Sequence, residues 1–311
     1  LEEAIVLKNH IICCFERAAG ETNGKRRRSL LTFVIVGGGA TGVEYAGALS
    51  ELVHGPLVKD YRSIDFKDVR IILLEASDRL IANMPEVVRT YTLERLKKMG
   101  IEVRLGTKVL EVTPDTVRLN DQNMIYTQTV VWTAGVKGEP IATLSGLPTN
   151  QYGRVPVLPS LQVPNHPEIY VVGDLASINE NDRVLPMVAQ VAIQSAITAA
   201  QNIFRQINDA TPQPFYYRDR GSMITIGRNT AGVAIGSRTY TGFFAWFLWL
   251  VIHLFNLIGF RNRMMVLINW AWDYLLYERA VRFVFPSEMR FSPKSSSCVS
   301  RTKDDDDLST G

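Results

Sequence analysis

The stretch VIVGGGATGVEYAG, residues 34–47, runs from an apolar strand through three consecutive glycines into a helix. Glycines at 37, 39 and 42 give the spacing G-x-G-x-x-G. In that pattern the first glycine permits a tight turn, the second lets backbone N–H groups approach a pyrophosphate, and the third packs helix against strand. The helix N-terminus adds a positive field. The flanks fit this reading. LLTFVIV reads as a buried strand, and Val43, Ala46, Ala48, Leu49, Leu52 and Val53 supply one apolar helix face. Strand, turn and helix in this order point to a dinucleotide site rather than to a glycine-rich turn in an unrelated sheet.

The acid expected at the end of the second strand, VRIILLEA, is Glu75. It stands further from the motif than the usual ~20 residues because a polar insertion, 54–68, lies between. A carboxylate there accepts the ribose hydroxyls of NAD and repels the 2′-phosphate of NADP, so NADH is the expected nucleotide. Arg79 nearby is the one residue that could tolerate a phosphate. Glu44, two residues past Gly42, lies in the first turn of the helix, either as an ordinary N-terminal acid or beside a bound nicotinamide.

Further along, a helix is expected from Pro85 to Met99, stopped at Gly100, followed by the strand IEVRLGTKV. VTPDTVRL and MIYTQTVVWTAG read as antiparallel strands that return the chain to the sheet. Upstream, residues 1–19 form an amphipathic helix (Leu7, Ile11, Cys14, Phe15, Ala18), and Gly20–Ser29, with its KRRR, reads as a solvated linker. Downstream, EIYVVGD reads as a third buried strand of a different sheet, VAQVAIQSAITAAQNIFRQI as a long helix, and 212–240 as a small antiparallel sheet. Phe243–Phe260 holds 18 residues without a formal charge, and the Ser- and Asp-rich tail reads as disordered.

Bulk properties bound the function. With 311 residues and 46% hydrophobic content, the chain can build two cored domains. The net charge is +3, and without Lys303 and the aspartates at 304–307 it is +6, a mild excess that suits an anionic lipid surface better than a nucleic-acid groove. Its three cysteines form neither a C-x-x-C pair nor a zinc spacing, so no redox disulfide and no metal is expected.

A second cofactor signal is IYVVGDLAS. A strand ending in Gly173-Asp174 suits an aspartate that accepts a hydrogen bond from the ribitol of FAD. Taken in order, GGGATGVEYAG, VVWTAG, IYVVGDLAS, MVAQVAIQSA and the aromatic C-terminal run resemble the type II NADH:quinone oxidoreductases, non-pumping members of the two-dinucleotide-domain flavoproteins. The resemblance implies NADH reducing FAD by hydride transfer and FAD reducing a membrane quinone, in a homodimer held to the membrane by C-terminal helices. Carried over, Gly37, Gly39, Gly42 and Glu75 hold NADH, with Glu44 near the nicotinamide. Thr133, Ala134 and Gly135 form the crossover, Gly173 and Asp174 hold FAD, and Gln190 and Gln194 line the quinone end of the flavin. Residues i and i+4 share a helix face, and two neutral amides can bind a quinone carbonyl without charging an apolar tunnel. Ordinary polar positions on a half-exposed helix would look the same.

The expected fold is α/β, a Rossmann-like NAD-binding domain (30–135) inserted in a partial FAD-binding domain (1–29 and 136–211). An antiparallel sheet with membrane-associating helices (212–290) and a disordered tail (291–311) follow. The family opens with its own G-x-G-x-x-G for FAD, and none precedes residue 37, so the chain is expected to carry the C-terminal half of the FAD domain and to hold FAD weakly. The rivals are another reductase of the same flavoprotein group and an inactive, NAD-binding membrane-associated fragment. His253, Asn256, Trp246, Trp249, Trp270, Trp272, Arg261 and Arg263 favour helices lying in the interface over a span, giving a peripheral, monotopic protein on the cytoplasmic face.

Overall fold

The computed structural model describes residues 2–276. The expected tail at 291–311 and the end of the 212–290 region lie outside the described residues. The centre is a four-stranded, all-parallel sheet of β1 (Thr32–Val36), β2 (Arg70–Leu74), β3 (Ile101–Arg104) and β7 (Thr129–Trp132), in the order β3-β2-β1-β7. Between β3 and β7 lies an antiparallel meander, β4 (Val109–Val112), β5 (Thr116–Leu119) and β6 (Met124–Tyr126). The segment read as one antiparallel strand, MIYTQTVVWTAG, divides into β6 and the parallel β7, because the chain turns at 127–128 to join β1. Gly106, with φ +63°, divides the segment read as one strand, IEVRLGTKV, into β3 and β4.

Alternation along the parallel strands sorts their side chains between two cores. Phe33, Ile35, Ile71 and Leu73 face helices, while Val34, Val36, Ile72 and Leu74 face the meander. The helical side holds α1 (Glu2–Gly20), α3 (Ala40–Leu52) and α4 (Glu86–Lys98). Phe15 of α1 is fully buried and stacks on Phe33 and Phe66 at 5.8 and 5.9 Å. Such burial contributes about 2–3 kcal/mol. α4 ends where Gly100 turns left-handed at φ +79°, as its sequence position predicts.

The linker expected at Gly20–Ser29 is instead largely helical. α2 (Gly24–Leu30) forms because Asn23 caps it, its side chain accepting from the N–H groups of Lys25 and Arg26, while Ser29 and Leu30 are buried. The polar insertion likewise continues the helix through a π turn, Val53–Leu57, that accommodates Pro56.

The strand expected at EIYVVGD is short and half-buried. β9 (His166–Tyr170) pairs antiparallel with β8 (Gln162–Val163) alone, and His166, Pro167 and Glu168 are exposed because so short a partner cannot cover them. α5 (Ala189–Ile207) follows. A three-stranded antiparallel sheet, β10 (Ser222–Thr225), β11 (Ala231–Ile235) and β12 (Arg238–Thr241), then packs against α3, α4 and α6 (Gly242–Asn256). The uncharged 243–260 run does not form one helix. Leu257 leaves α6 in an extended conformation, Gly259 takes φ +84°, and α7 (Phe260–Leu276) starts anew. Among the described residues no helix is long and apolar enough to cross a membrane.

Candidate functional site

The glycine turn sits at the C-terminal end of β1, where the open α/β sheet places a ligand crevice. Gly37 has φ +113°, and a methyl group there would come within 2.8 Å of the Ala134 nitrogen and 2.9 Å of Thr133 Oγ1. Gly42 has less room still, because a methyl would strike the Gly37 carbonyl oxygen and lie 2.8 Å from Thr133 Oγ1. Gly39 faces open space and begins α3 without a side-chain cap, so the amides of the first turn remain available to an anion. Thr133 closes the turn from below, its hydroxyl donating to the carbonyls of Val36 (2.9 Å) and Gly37 (3.1 Å). Thr133 and Ala134 therefore lie against the motif, and Gly135 follows them at φ +79°, facing open space.

Glu75 joins the same crevice. Its carboxylate accepts from the N–H of Gly38 at 2.5 Å and of Ser77 at 2.8 Å, fixing the acid beside the turn. Arg79 is engaged elsewhere, forming a two-pronged pair with Asp78 at 2.6 and 2.7 Å. That pairing lowers the Asp78 carboxyl and raises the Arg79 guanidinium from their ordinary values.

Glu44 points away from the turn, towards the antiparallel sheet. One of its oxygens accepts from the N–H (3.1 Å) and hydroxyl (3.2 Å) of Thr225. With Glu51, Arg228 and Thr225 it forms one wall of a cavity of about 730 Å³, opposite Trp246, Trp249 and Trp270. Trp249 stacks on His253 at 4.0 Å and meets Trp270 at 6.1 Å, so α6 and α7 enclose the space with aromatic surface.

Gly173, at φ +65°, begins the turn carrying an exposed Asp174. The first turns of α5 pack onto it: Gly173 donates its N–H to Ser195 Oγ at 3.2 Å, and a methyl on Gly173 would touch Ala192 at 3.3 Å. Gln190 and Gln194 lie on this same part of α5, half-buried. Gln194 is already paired with the backbone of Arg218, donating at 2.9 Å and accepting at 3.0 Å, which leaves one amide hydrogen and one lone pair for a ligand. The structure thus groups Gly37, Gly39, Gly42, Glu75, Thr133 and Ala134 in one crevice and Gly173, Asp174, Gln190 and Gln194 around α5. Glu44 stands apart from both on the aromatic cavity.

Two participants carry no local sequence signal. Arg154 is almost fully buried and donates to the Ala176 carbonyl from Nε (3.1 Å) and Nη2 (2.6 Å) and to the Leu185 carbonyl (3.2 Å), clamping the chain just after Asp174. Burial lowers its guanidinium, against the opposing charge of Asp174. Trp132, exposed beside the crossover, donates to the Ala134 carbonyl at 2.7 Å.

A glycine turn at the end of a parallel strand, followed by a Gly-Asp turn packed on a second helix, defines an α/β fold of the class built around dinucleotide sites. The model of the pyridine nucleotide-disulphide oxidoreductases matches residues 12–196, and the chain belongs to that family. Its similar proteins include two type II NADH:quinone oxidoreductases of Mycobacterium tuberculosis. One is 37% identical over 290 residues, which is 90% of this chain and 62% of the relative. The other is 36% identical over 288 residues, covering 88% and 60%. The chain therefore spans about three-fifths of the length of these relatives. Its fold resembles that of NDH2 from Plasmodium falciparum, solved in complex with NADH, with a TM-score of 0.78 at 16% identity over 90% of this chain and 72% of that one.

Proposed function

We propose that this chain is the nucleotide-binding and membrane-facing part of a flavoenzyme that passes two electrons from NADH through FAD to a membrane quinone, without proton pumping. The observation that carries the proposal is the aromatic cavity. Helix α3 begins in the dinucleotide turn and, one turn later, contributes Glu44 to a pocket roofed by Trp246, Trp249 and Trp270. A flat, lipid-soluble acceptor suits those walls, and a polar protein acceptor does not. The names of the M. tuberculosis relatives support the same reading.

In this reading Gly37, Gly39 and Gly42 seat the pyrophosphate of NADH, and Glu75 binds its ribose. Glu44, expected near the nicotinamide, instead lines the acceptor cavity, while Thr133–Gly135 carry the chain into the FAD half. FAD fits the α5 region: Asp174 is exposed, on a left-handed Gly173, against a helix whose N-terminus has no side-chain cap. Bound there, FAD supplies the hydride acceptor and the electron relay. Asp174 takes the ribitol hydroxyls, and Gln190 and Gln194 face the quinone. Residues 30–135 form the NAD domain, 1–29 and 136–211 belong to the FAD domain, and 212–290 attach to the membrane. The aromatic faces of α6 and α7 lie in the headgroup zone, so the homodimer rests on the cytoplasmic face. Rapid mixing tests this: FAD-loaded protein should bleach with NADH and regain colour with a short-chain quinone. Recolouring by an iron–sulfur protein but not by quinone would overturn it.

A further inference from the structure

We propose that a basic groove at the start of the parallel strands is a second nucleotide site, taking a soluble nucleoside di- or triphosphate by its phosphates. The groove encloses about 1270 Å³. Three separate segments bring Lys25, Arg26, Arg28, Lys67, Arg70 and Arg104 to it, against two acids, Asp68 and Asp115. Part of this charge is compensated nearby: Arg26 pairs with Glu21, and Arg70 and Arg104 share Glu102. Lys25, Arg28 and Lys67 make no ion pair among the described residues. These three cations project from exposed positions around one concavity, where their fields add.

The fold creates this convergence. Because Asn23 turns the KRRR run into helix α2, three of its cations share the groove rather than spreading along a solvated loop. The opposite wall is of a different character. Met124 and Tyr126, on β6, are 50% and 64% exposed, and offer a thioether and an aromatic face to a planar ring. Clustered cations facing an aromatic wall match a compact polyanion bearing a base, and an acidic peptide would leave the aromatic wall unused. The site is distinct from the glycine turn, which lies at the other end of β1, five residues or about 17 Å away.

Calorimetric titration with ADP and with inorganic pyrophosphate, in saturating NADH, tests the proposal. Both probes should bind once per chain despite the NADH. Arg28→Gln combined with Lys67→Gln should weaken both about ten-fold, since exposed charge contacts are each worth a few-fold. Tyr126→Ala should weaken ADP and leave pyrophosphate unchanged. In the unmodified protein, raising salt from about 0.05 to 0.5 M should weaken pyrophosphate several-fold. Displacement of both probes by NADH, salt-independent binding, or an unchanged double variant would each overturn the proposal.

Discussion

Glu75→Gln isolates what the strand-end carboxylate does for nucleotide choice. NADPH differs from NADH by a 2′-phosphate carrying about −1.5 to −2 charges. A unit charge ~4 Å from the carboxylate is opposed by about 1 kcal/mol in bulk water and about 4 kcal/mol at an effective dielectric near 20. Glu75 is half-buried, and Arg79, four residues on, is held by Asp78. A penalty of about 2 kcal/mol, roughly thirty-fold in favour of NADH, follows. The substitution removes the charge, so the preference should fall below about five-fold. It also leaves one oxygen where two backbone donors, Gly38 and Ser77, now share two. The exposed donor turns to water, and NADH itself should weaken only a few-fold. Trp132, exposed beside the crossover, provides a fluorescence signal for titrating both nucleotides. Equal affinities in the unmodified protein, or an unchanged ratio in the variant, would refute this account.

Gln194→Leu should slow quinone turnover at least several-fold while leaving single-turnover reduction of the flavin by NADH nearly unchanged; equal loss in both steps would place the residue elsewhere. His10 Nε2 donates to the Gln128 carbonyl (3.1 Å) and lies 3.0 Å from the Thr129 hydroxyl, with Cys14 beside it, and burial holds its imidazole below 6.5. The unfolded chain therefore takes up a proton first on acidification, so its contribution to stability is intact above pH 6.5 and is lost as pH falls from there towards the folded value. Melting temperatures followed from about pH 7.5 down to 5 should fall less steeply in His10→Gln. Phe243→Ser with Phe247→Ser, both on exposed positions of α6, should cut co-sedimentation with anionic vesicles at least ten-fold without lowering the melting temperature.

What the sequence made legible is what local chemistry decides. The turn between β1 and α3 needs its glycines for reasons that act within a few residues, and α4 starts at Pro85 and stops at Gly100 for equally local reasons. Asn23 was a readable cap, but the charge run after it suggested solvent, and the buried Ser29 and Leu30 that hold α2 in place depend on tertiary packing. The break at Leu257–Gly259 was hidden because an unbroken apolar run satisfies a span and a helical hairpin alike. The expected second core is present around Val155, Leu161, Val163 and Val171, but the sheet over it was overestimated, because a β-rich segment such as EIYVV does not reveal how many neighbours will pair with it. Arg154 and the aromatic cavity were beyond reach altogether. Glu44 meets Thr225 across 181 residues, and no periodicity records such an encounter.

Where α3 crosses the loop after β10, the backbones themselves touch. A methyl on Gly47 would come within 3.0 Å of the Gly227 nitrogen, and Gly227 holds φ +82°. The gap between the nucleotide turn and the aromatic roof is thus gauged by two main chains in contact, with no side chain to compress or re-pack. Ordinary core drift, in which one methyl grows as another shrinks, is unavailable at this crossing. Enlarging Gly47 must shift the loop after β10 by a few tenths of an ångström relative to α3, whereas a methyl on Gly227 would first meet the Glu51 and Met99 side chains. The glycine turn and the aromatic cavity are thus spaced, at this crossing, by the absence of atoms.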